Sequence, residues 1–379
     1  MNKKLLNQLL ALVFACASVS AMADITIGVT LSATGPAASL GIPEKNTIAL
    51  LPATIGGEKV KYIVLDDATD PTAASKNARK LATEDNVDVI IGSSTTPTSI
   101  AVLEVAAQTR TPQIALAPFA PAADKAAWVF QTPQAFGIMA SSIVGHMSAN
   151  GVRTVAFIGY SDPYGELWLR ELNNVVGPKG IRVIDVERFN RTDTSVTGQV
   201  LKIMAANPDA VLVVGSGTPA ALPQVTLAER GYKGRIYQTH GVANNDFLRV
   251  GGKNVEGAVL PVGPVLVAEQ LPDSHPSKKP ALEFIKAYEG ANGAGSRSTF
   301  GAHAWDAELL LQRAVPEALK KAKPGTPDFR AALREALENV KDLAATHGVF
   351  SYSATDHKGL DSRASVLIRI ENGAWKVLR

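Results

Sequence analysis

The sequence has 379 residues, 46% hydrophobic and 19% charged, which suits one large or two medium globular domains and argues against disorder. Its 38 basic and 35 acidic residues leave a net charge of only +3. They are mixed along the chain, without the basic blocks typical of proteins that bind nucleic acid or an anionic membrane surface, so we expect neither partner.

The first residues predict export. Lys3 and Lys4 precede an apolar run over residues 9–16, and Ala21 and Ala23 supply small residues at the positions that a signal peptidase recognises. We therefore predict a signal peptide over residues 1–23 and localisation in the periplasm. After residue 23 no apolar run approaches the roughly 20 residues of a membrane span, so we expect a soluble exported chain.

Cys16 offers an alternative, because it is a possible lipidation site. Phe14 stands where lipidation prefers a small residue, and this favours cleavage after Ala23. Cleavage there removes the only cysteine, so the exported chain would have no disulfide and would be held by burial alone.

From Asp24 onward, short apolar runs alternate with helical patterns, which predicts parallel sheets covered by helices on both faces. A first series has strands at 25–31, 60–65, 87–91 and 113–116, and helices at 73–84 and 100–109. A second series has strands at 152–158, 183–189, 210–214 and 235–238, and helices at 138–149, 166–175, 196–206 and 220–230. Helices at 280–288, 301–319 and 328–340 and strands at 365–370 and 375–378 follow. We predict an α/β fold with two lobes, whose cleft is a favoured site for a small ligand.

The hydroxyl-rich turn over residues 92–99 lies between the strand at 87–91 and a helix. Thr96 is placed as the N-cap and Pro97 as the first helical residue. The amides of the first turn have no partner within a helix, so they and the helix dipole favour a bound carboxylate. Capping of the helix alone explains the same residues, and the turn by itself leaves both interpretations open.

Three further residues, each after a strand or at the start of a helix, are candidates for contact with a ligand. Tyr164 lies in a turn after a strand, and His240 follows another strand, so both point to the ligand edge of the second sheet. Either residue is equally consistent with an ordinary loop position. Trp305 begins a long helix and belongs either to the core or to a cleft wall.

Signatures of enzymes are scarce. The six histidines show no metal-ligand spacing, and the sequence contains no GxSxG elbow, cysteine nucleophile or phosphate-binding P-loop. We predict no catalytic residue, no metal and no cofactor.

Residues 215–220, Gly-Ser-Gly-Thr-Pro-Ala, match the dinucleotide fingerprint GxGxx[GA]. The acidic residue expected about 20 positions later is absent, since residues 238–241 read Gln-Thr-His-Gly. The glycines beside Ser216 are better explained by a loop that passes close to another ligand.

Several motifs in order resemble the substrate-binding proteins of branched-chain amino acid type ABC transporters. They are the segments 27–36, 66–71, 92–99, 160–166 and 237–241, and the resemblance covers essentially all of the exported chain. It implies a type I periplasmic binding protein with two Rossmann-like lobes and three crossover strands. We predict lobe 1 over 24–135 and 264–352, and lobe 2 over 136–263 and 353–379. The implied partners are a small carboxylate ligand and an inner-membrane permease, and we expect a monomer.

The resemblance also implies a set of ligand contacts. The expected residues are Ser94, Thr95, Thr96, Ala117, Pro118 and Phe119 from the first lobe, and Tyr164, Ser216 and His240 from the second. Amino-acid-binding members commonly have an acidic residue at the position of His240 to neutralise the ligand's ammonium group, and a hydroxyl residue in the loop matching 117–121. This chain has neither.

A buried ammonium without an acceptor costs several kcal/mol, so we favour an aromatic or other apolar carboxylate as the ligand. Phe119, Pro118 and Trp305 would pack on its ring, and His240 would bond a ring hydroxyl. Branched-chain amino acid uptake and a periplasmic ligand-presenting sensor are the alternatives.

Overall fold

The computed structural model describes residues 24–378. The predicted signal peptide and Cys16 lie outside these residues. Within them, no helix is both long and apolar enough to span a membrane.

The first sheet has six strands in the order β2-β3-β1-β4-β5-β6. Their bounds are β1 Ile25–Leu31, β2 Thr54–Ile55, β3 Glu58–Asp66, β4 Val89–Gly92, β5 Gln113–Ala115 and β6 Val129–Gln131. All neighbours pair in parallel except β2, which pairs antiparallel with β3. Strand β4 is buried along its whole length, as expected for a parallel strand covered on both faces.

The second sheet has seven strands in the order β15-β14-β11-β10-β9-β7-β8. Their bounds are β7 Thr154–Tyr160, β8 Arg182–Phe189, β9 Ala210–Val214, β10 Arg235–Gln238, β11 Val259–Val262, β14 Val366–Glu371 and β15 Ala374–Val377. Strands β14 and β15 pair antiparallel, so this sheet is mixed, but the neighbours from β11 to β8 pair in parallel as predicted. A separate hairpin pairs β12 (Leu343–Ala344) with β13 (Val349–Phe350).

Eleven α-helices lie in the described residues. Those of the first half are α1 Ala38–Ile48, α2 Pro71–Arg79, α3 Thr96–Thr109, α4 Phe136–Ala149 and α5 Pro163–Val176. The others are α6 Thr197–Ala206, α7 Ala221–Glu229, α8 Asn245–Gly251, α9 Lys278–Asn292, α10 Thr299–Leu319 and α11 Pro327–Glu338. Helices α10 and α11 return to the first sheet, where Leu310, Leu311 and Phe329 join a core with Ile27 and Ile91.

The segment after β1, residues 32–41, is a loop only in its first part. Helix α1 begins at Ala38 and packs directly against the end of β1. A Cβ on Gly41 would lie 2.2 Å from the carbonyl group of Ser32, so only glycine allows this approach. The approach brings the next turn of α1, with Glu44, to the carboxyl edge of the first sheet.

The chain passes between the two sheets at three places, after β6, after β11 and between β13 and β14. These connections contact one another. A Cβ on Gly263 would lie 2.3 Å from Cδ2 of His347 and 2.8 Å from Nε2 of Gln134. The same Nε2 donates a hydrogen bond to the carbonyl of Ala364 (3.1 Å). The exact lobe boundaries given above remain a prediction.

Candidate functional site

A cavity lies between the two sheets, at the ends of strands of both. Its walls are formed by Leu40, Ser94, Thr95, Thr96, Leu116, Ala117, Pro118, Pro133, Tyr164, Ser216, His240, Gly241, Phe300 and His303. Eight of the ten residues expected from the sequence are among them. Phe119 and Trp305 are not.

The start of α3 forms one wall. Thr95 is the N-cap and Thr96 the first helical residue, so the predicted cap is off by one position. The side chain of Thr95 accepts from the amide of Thr98, and the Thr98 hydroxyl accepts from the amide of Thr95 in return (3.2 Å). Thr96 donates its own hydroxyl proton to the carbonyl of Pro118 (2.7 Å). The hydroxyl of Thr96 therefore fixes the neighbouring loop, and the amide of Thr96 lies in the first turn of α3, where amides have no partner within the helix.

Ser94 is 2% exposed and lies between the cavity and Glu44. Its Oγ accepts from the amide of Ser32 (2.9 Å) and is hydrogen-bonded to Oε2 of Glu44. Glu44 has no exposed surface, and its Oε1 has no hydrogen-bond partner in the described chain. Burial raises the pKa of Glu44 well above its ordinary value, the bond to Ser94 opposes this, and the charge of Asp67 adds to it.

Tyr164 approaches the cavity from the second sheet. Its hydroxyl lies 2.8 Å from Oγ1 of Thr239, which donates to the carbonyl of Gly215 (3.0 Å). Since the Thr239 proton is used there, Tyr164 donates to Thr239 and presents only lone pairs elsewhere. Burial raises the pKa of Tyr164, which stays neutral.

Ser216 is held by a residue that the sequence analysis missed. Arg191 donates from Nη1 to Oγ of Ser216 (2.8 Å) and from Nε to Asp162 (2.7 Å). Its guanidinium lies over the ring of Tyr160, 4.2 Å from the centroid. Because the Ser216 oxygen accepts from Arg191, its own proton is free for a ligand.

Two buried histidines complete the walls. His240 and His303 are 5% and 2% exposed, and Nδ1 of each has no partner in the described chain. Burial, with a smaller contribution from His347, lowers the pKa of His240 to about 3. Burial also lowers the pKa of His303 well below its ordinary value. Both imidazoles are therefore neutral near pH 7, and each ring has one donor and one acceptor nitrogen.

Phe119 and Trp305 point elsewhere, so the expectation that they line the cavity is corrected. Phe119 is buried in a small core with Leu103 and Val129. Trp305 packs edge-on against Phe284, with ring centroids 5.7 Å apart. Residues two positions apart on a helix point about 200° apart. On α10, Trp305 points toward Phe284, and His303 therefore points to the other side, into the cavity.

The wall residues include no acidic, lysine or arginine side chain. Their polar groups are hydroxyls, backbone amides and neutral imidazoles, and their apolar groups come from Leu40, Leu116, Pro118, Pro133 and Phe300. Within residues 24–378, no three His, Cys, Asp or Glu side chains come together as a metal-ligand group. The arrangement suits a small ligand with one anionic end and an apolar body.

The chain is similar to known proteins along nearly its whole length. The model of a family described as periplasmic binding protein matches residues 24–374. The Leu/Ile/Val-binding protein homolog 3 of Brucella melitensis is 24% identical over 94% of this chain and 94% of its own. The crystal structure of an extracellular ligand-binding receptor from Rhodopseudomonas palustris is 50% identical, with a TM-score of 0.92 over 94% of this chain and 100% of its own.

A more distant structure shares the fold. It is a solute binding protein of an ABC transporter from another strain of Rhodopseudomonas palustris, solved in complex with 3,4-dihydroxy benzoic acid. It is 21% identical, with a TM-score of 0.78 over 94% of this chain and 96% of its own.

Proposed function

The chain belongs to the periplasmic binding protein family, of the type I, branched-chain amino acid kind, and on this premise we propose that it captures a small apolar or aromatic carboxylate for ABC-type transport. Ser94, Thr95, Thr96, Ala117, Pro118, Tyr164, Ser216 and His240 are the proposed contacts that the sequence indicated. We add His303, Leu40 and Phe300 to the proposed contacts because they also line the cavity.

The observation that carries the proposal is the absence of an ionised acid from the wall residues. An α-amino acid carries an ammonium group, and its burial without a charged acceptor costs several kcal/mol. A carboxylate meets the opposite conditions at the start of α3, where backbone amides, hydroxyls and the helix dipole favour an anion.

The remaining walls fit an apolar body. Pro118, Pro133 and Phe300 would contact its ring, and His240 and His303 would bond a ring hydroxyl. The fold neighbour that holds 3,4-dihydroxy benzoic acid supports such a ligand, whereas the names of the Brucella relatives support branched-chain amino acids, which remain the alternative.

The proposed mechanism is hinge closure without chemistry. A ligand would dock on the first lobe, the second lobe would close over it, and a permease in the inner membrane would recognise the closed form. The protein would act as a monomer in the periplasm. A sensor that presents the ligand to a receptor would use the same cavity, and the partner recovered with the loaded protein would separate the two.

Isothermal titration calorimetry tests the ligand class. The purified protein is titrated with benzoate, 4-hydroxybenzoate and leucine, and we expect one-to-one binding of at least one aromatic acid. Binding of leucine alone would overturn the proposal. Chemical conversion of a bound acid would contradict the assignment as a binding protein.

A further inference from the structure

The hydroxyl of Ser94 has one proton and two acceptor positions, and its neighbours determine what it can offer a ligand. One acceptor position is filled by the amide of Ser32 at 2.9 Å. The other neighbour is Oε2 of Glu44, on the side away from the cavity. The direction of this second hydrogen bond sets the polarity of the wall.

Two arrangements are possible. An ionised Glu44 only accepts, so Ser94 would give its proton to Glu44 and present a lone pair to the cavity. Such a wall suits a ligand that donates, as an ammonium does. A neutral Glu44 donates to Ser94, fills the second acceptor position and leaves the Ser94 proton for a ligand that accepts, as a carboxylate does.

The contacts of a second buried carboxyl decide between them. Asp67 has no exposed surface, and it accepts from Ser93 Oγ (2.6 Å), Ser32 Oγ (2.7 Å), Thr30 Oγ1 (3.2 Å) and the amide of Thr69 (3.0 Å). Four donors stabilise a negative charge there. Glu44 has only the Ser94 bond, an unpartnered Oε1, and no ion pair in the described chain.

Of these two carboxyl groups, Asp67 therefore carries the negative charge and Glu44 is protonated. Burial raises the pKa of both carboxyl groups, but at Asp67 the four hydrogen bonds oppose the rise, whereas at Glu44 only the bond to Ser94 opposes it and the charge of Asp67 adds to it. The close approach of α1 at Gly41 is what brings Glu44 to this position.

We propose that Glu44 is a positioning residue that stays neutral and donates its carboxyl proton to Ser94 Oγ, so that Ser94 donates to the carboxylate of the ligand. The inference rests on the proposed function in its last step only. It makes Glu44, which has no place in the cavity wall, a determinant of the preference for a carboxylate.

Infrared spectroscopy of the ligand-free protein tests the proton directly. The carbonyl stretch of a protonated carboxylic acid is compared between the wild type and Glu44→Gln near neutral pH. Glu308→Gln is the matched control, since Glu308 is also buried but is bonded to Tyr62 away from the cavity. We expect a band that Glu44→Gln removes and Glu308→Gln does not. No band assignable to Glu44 would overturn the proposal.

Calorimetry with the aromatic acid that binds best tests the role toward Ser94. A glutamine amide donates to Ser94 as the neutral acid does, so Glu44→Gln should keep the affinity within about threefold. Ser94→Ala should weaken binding by about tenfold or more in both backgrounds. A loss of about tenfold in Glu44→Gln would overturn the positioning role. If the wild type binds no carboxylate, the proposed function fails, while the infrared band still decides whether Glu44 is neutral.

Discussion

The ring of His303 stacks on the ring of His347, with centroids 3.8 Å apart and an angle of 18° between the planes. Nδ1 of His347 lies 2.9 Å from Asp306 and Nε2 lies 2.9 Å from the hydroxyl of Thr299. This network assigns the proton of His347 to Nδ1. A wall of the cavity is thereby joined to the turn between β12 and β13.

We expect Asp306 to be a stabilising residue. Its carboxylate accepts from the amides of Thr346 (2.9 Å) and His347 (3.1 Å) and from the ring of His347. Asp306→Ala leaves these buried donors without a partner and should lower the free energy of unfolding by about 3 kcal/mol. Denaturant unfolding measures this. Asp361→Ala, which removes an exposed pair with Arg363, is the control and should cost less than about 1 kcal/mol. Equal losses in the two variants would contradict the assignment.

The crossing of the three connections should not tolerate a side chain at position 263. A Cβ there meets the fixed ring of His347 at 2.3 Å, so Gly263→Ala should destabilise the protein by about 1–3 kcal/mol through overpacking. Gly145→Ala is the matched control, because nothing lies within 4 Å of its added Cβ inside α4. The control should gain about 0.5–1 kcal/mol. Thermal and denaturant unfolding of both variants provide the comparison, and a Gly263→Ala protein as stable as the wild type would refute the contact.

The buried neutral histidines make the protein less stable in acid. The pKa of His240 is about 3 in the folded protein and near 6.5 in the unfolded chain, so the unfolded chain binds a proton first as pH falls. The contribution of this histidine to the free energy of unfolding is therefore fully present above about pH 6.5. Below that pH the free energy of unfolding decreases by about 1 kcal/mol per pH unit. The free energy of unfolding, measured with denaturant at several pH values between about pH 7 and pH 5, should decrease less steeply with falling pH for His240→Gln than for the wild type. Parallel curves for the variant and the wild type would be inconsistent with a buried neutral His240.

Thr96 should contribute to binding through the loop that it holds. Thr96→Val breaks the bond to the carbonyl of Pro118, and we expect affinity for the bound acid to fall by about tenfold without unfolding. Thr96→Ser keeps the hydroxyl and should bind like the wild type. Calorimetry gives the affinities and circular dichroism the fold. Unchanged affinity in Thr96→Val would remove the residue from the site.

Most strands were predictable because local pattern and burial coincide in them. Strand β9, Ala210–Val214, is apolar and wholly buried, and β1 ends at the predicted residues. The missed strands have only two to four residues each, and β11 also contains Pro261; they are β2, β6, β11, β12 and β13. Their strand character comes from neighbours in the sheet, which no local pattern reports. Helix α1 was missed as a whole, because Gly41 and Pro43 interrupt its helical signal.

Site residues that directly follow a strand could be predicted from the sequence, whereas site residues inside helices could not. Ser94, Tyr164 and His240 follow strands, so chain order alone indicated their edge of the sheet. Glu44 and His303 lie inside helices, and their positions depend on how α1 and α10 pack. For Glu44, the only signal in the sequence was a glutamate among small and apolar residues. For His303, the sequence did not show which face of α10 points to the cavity, and Trp305 was therefore chosen in its place.

The central claim is that the cavity accepts a carboxylate and rejects an α-ammonium group. Two matched pairs isolate that group: 3-phenylpropionate with phenylalanine, and 4-methylpentanoate with leucine, each pair differing only at the α-carbon. In calorimetric titrations we predict that the acid without the ammonium binds at least about tenfold more tightly in at least one pair, and that neither amino acid binds more tightly than its partner. Tighter binding of phenylalanine or leucine than of its matched acid would contradict the account.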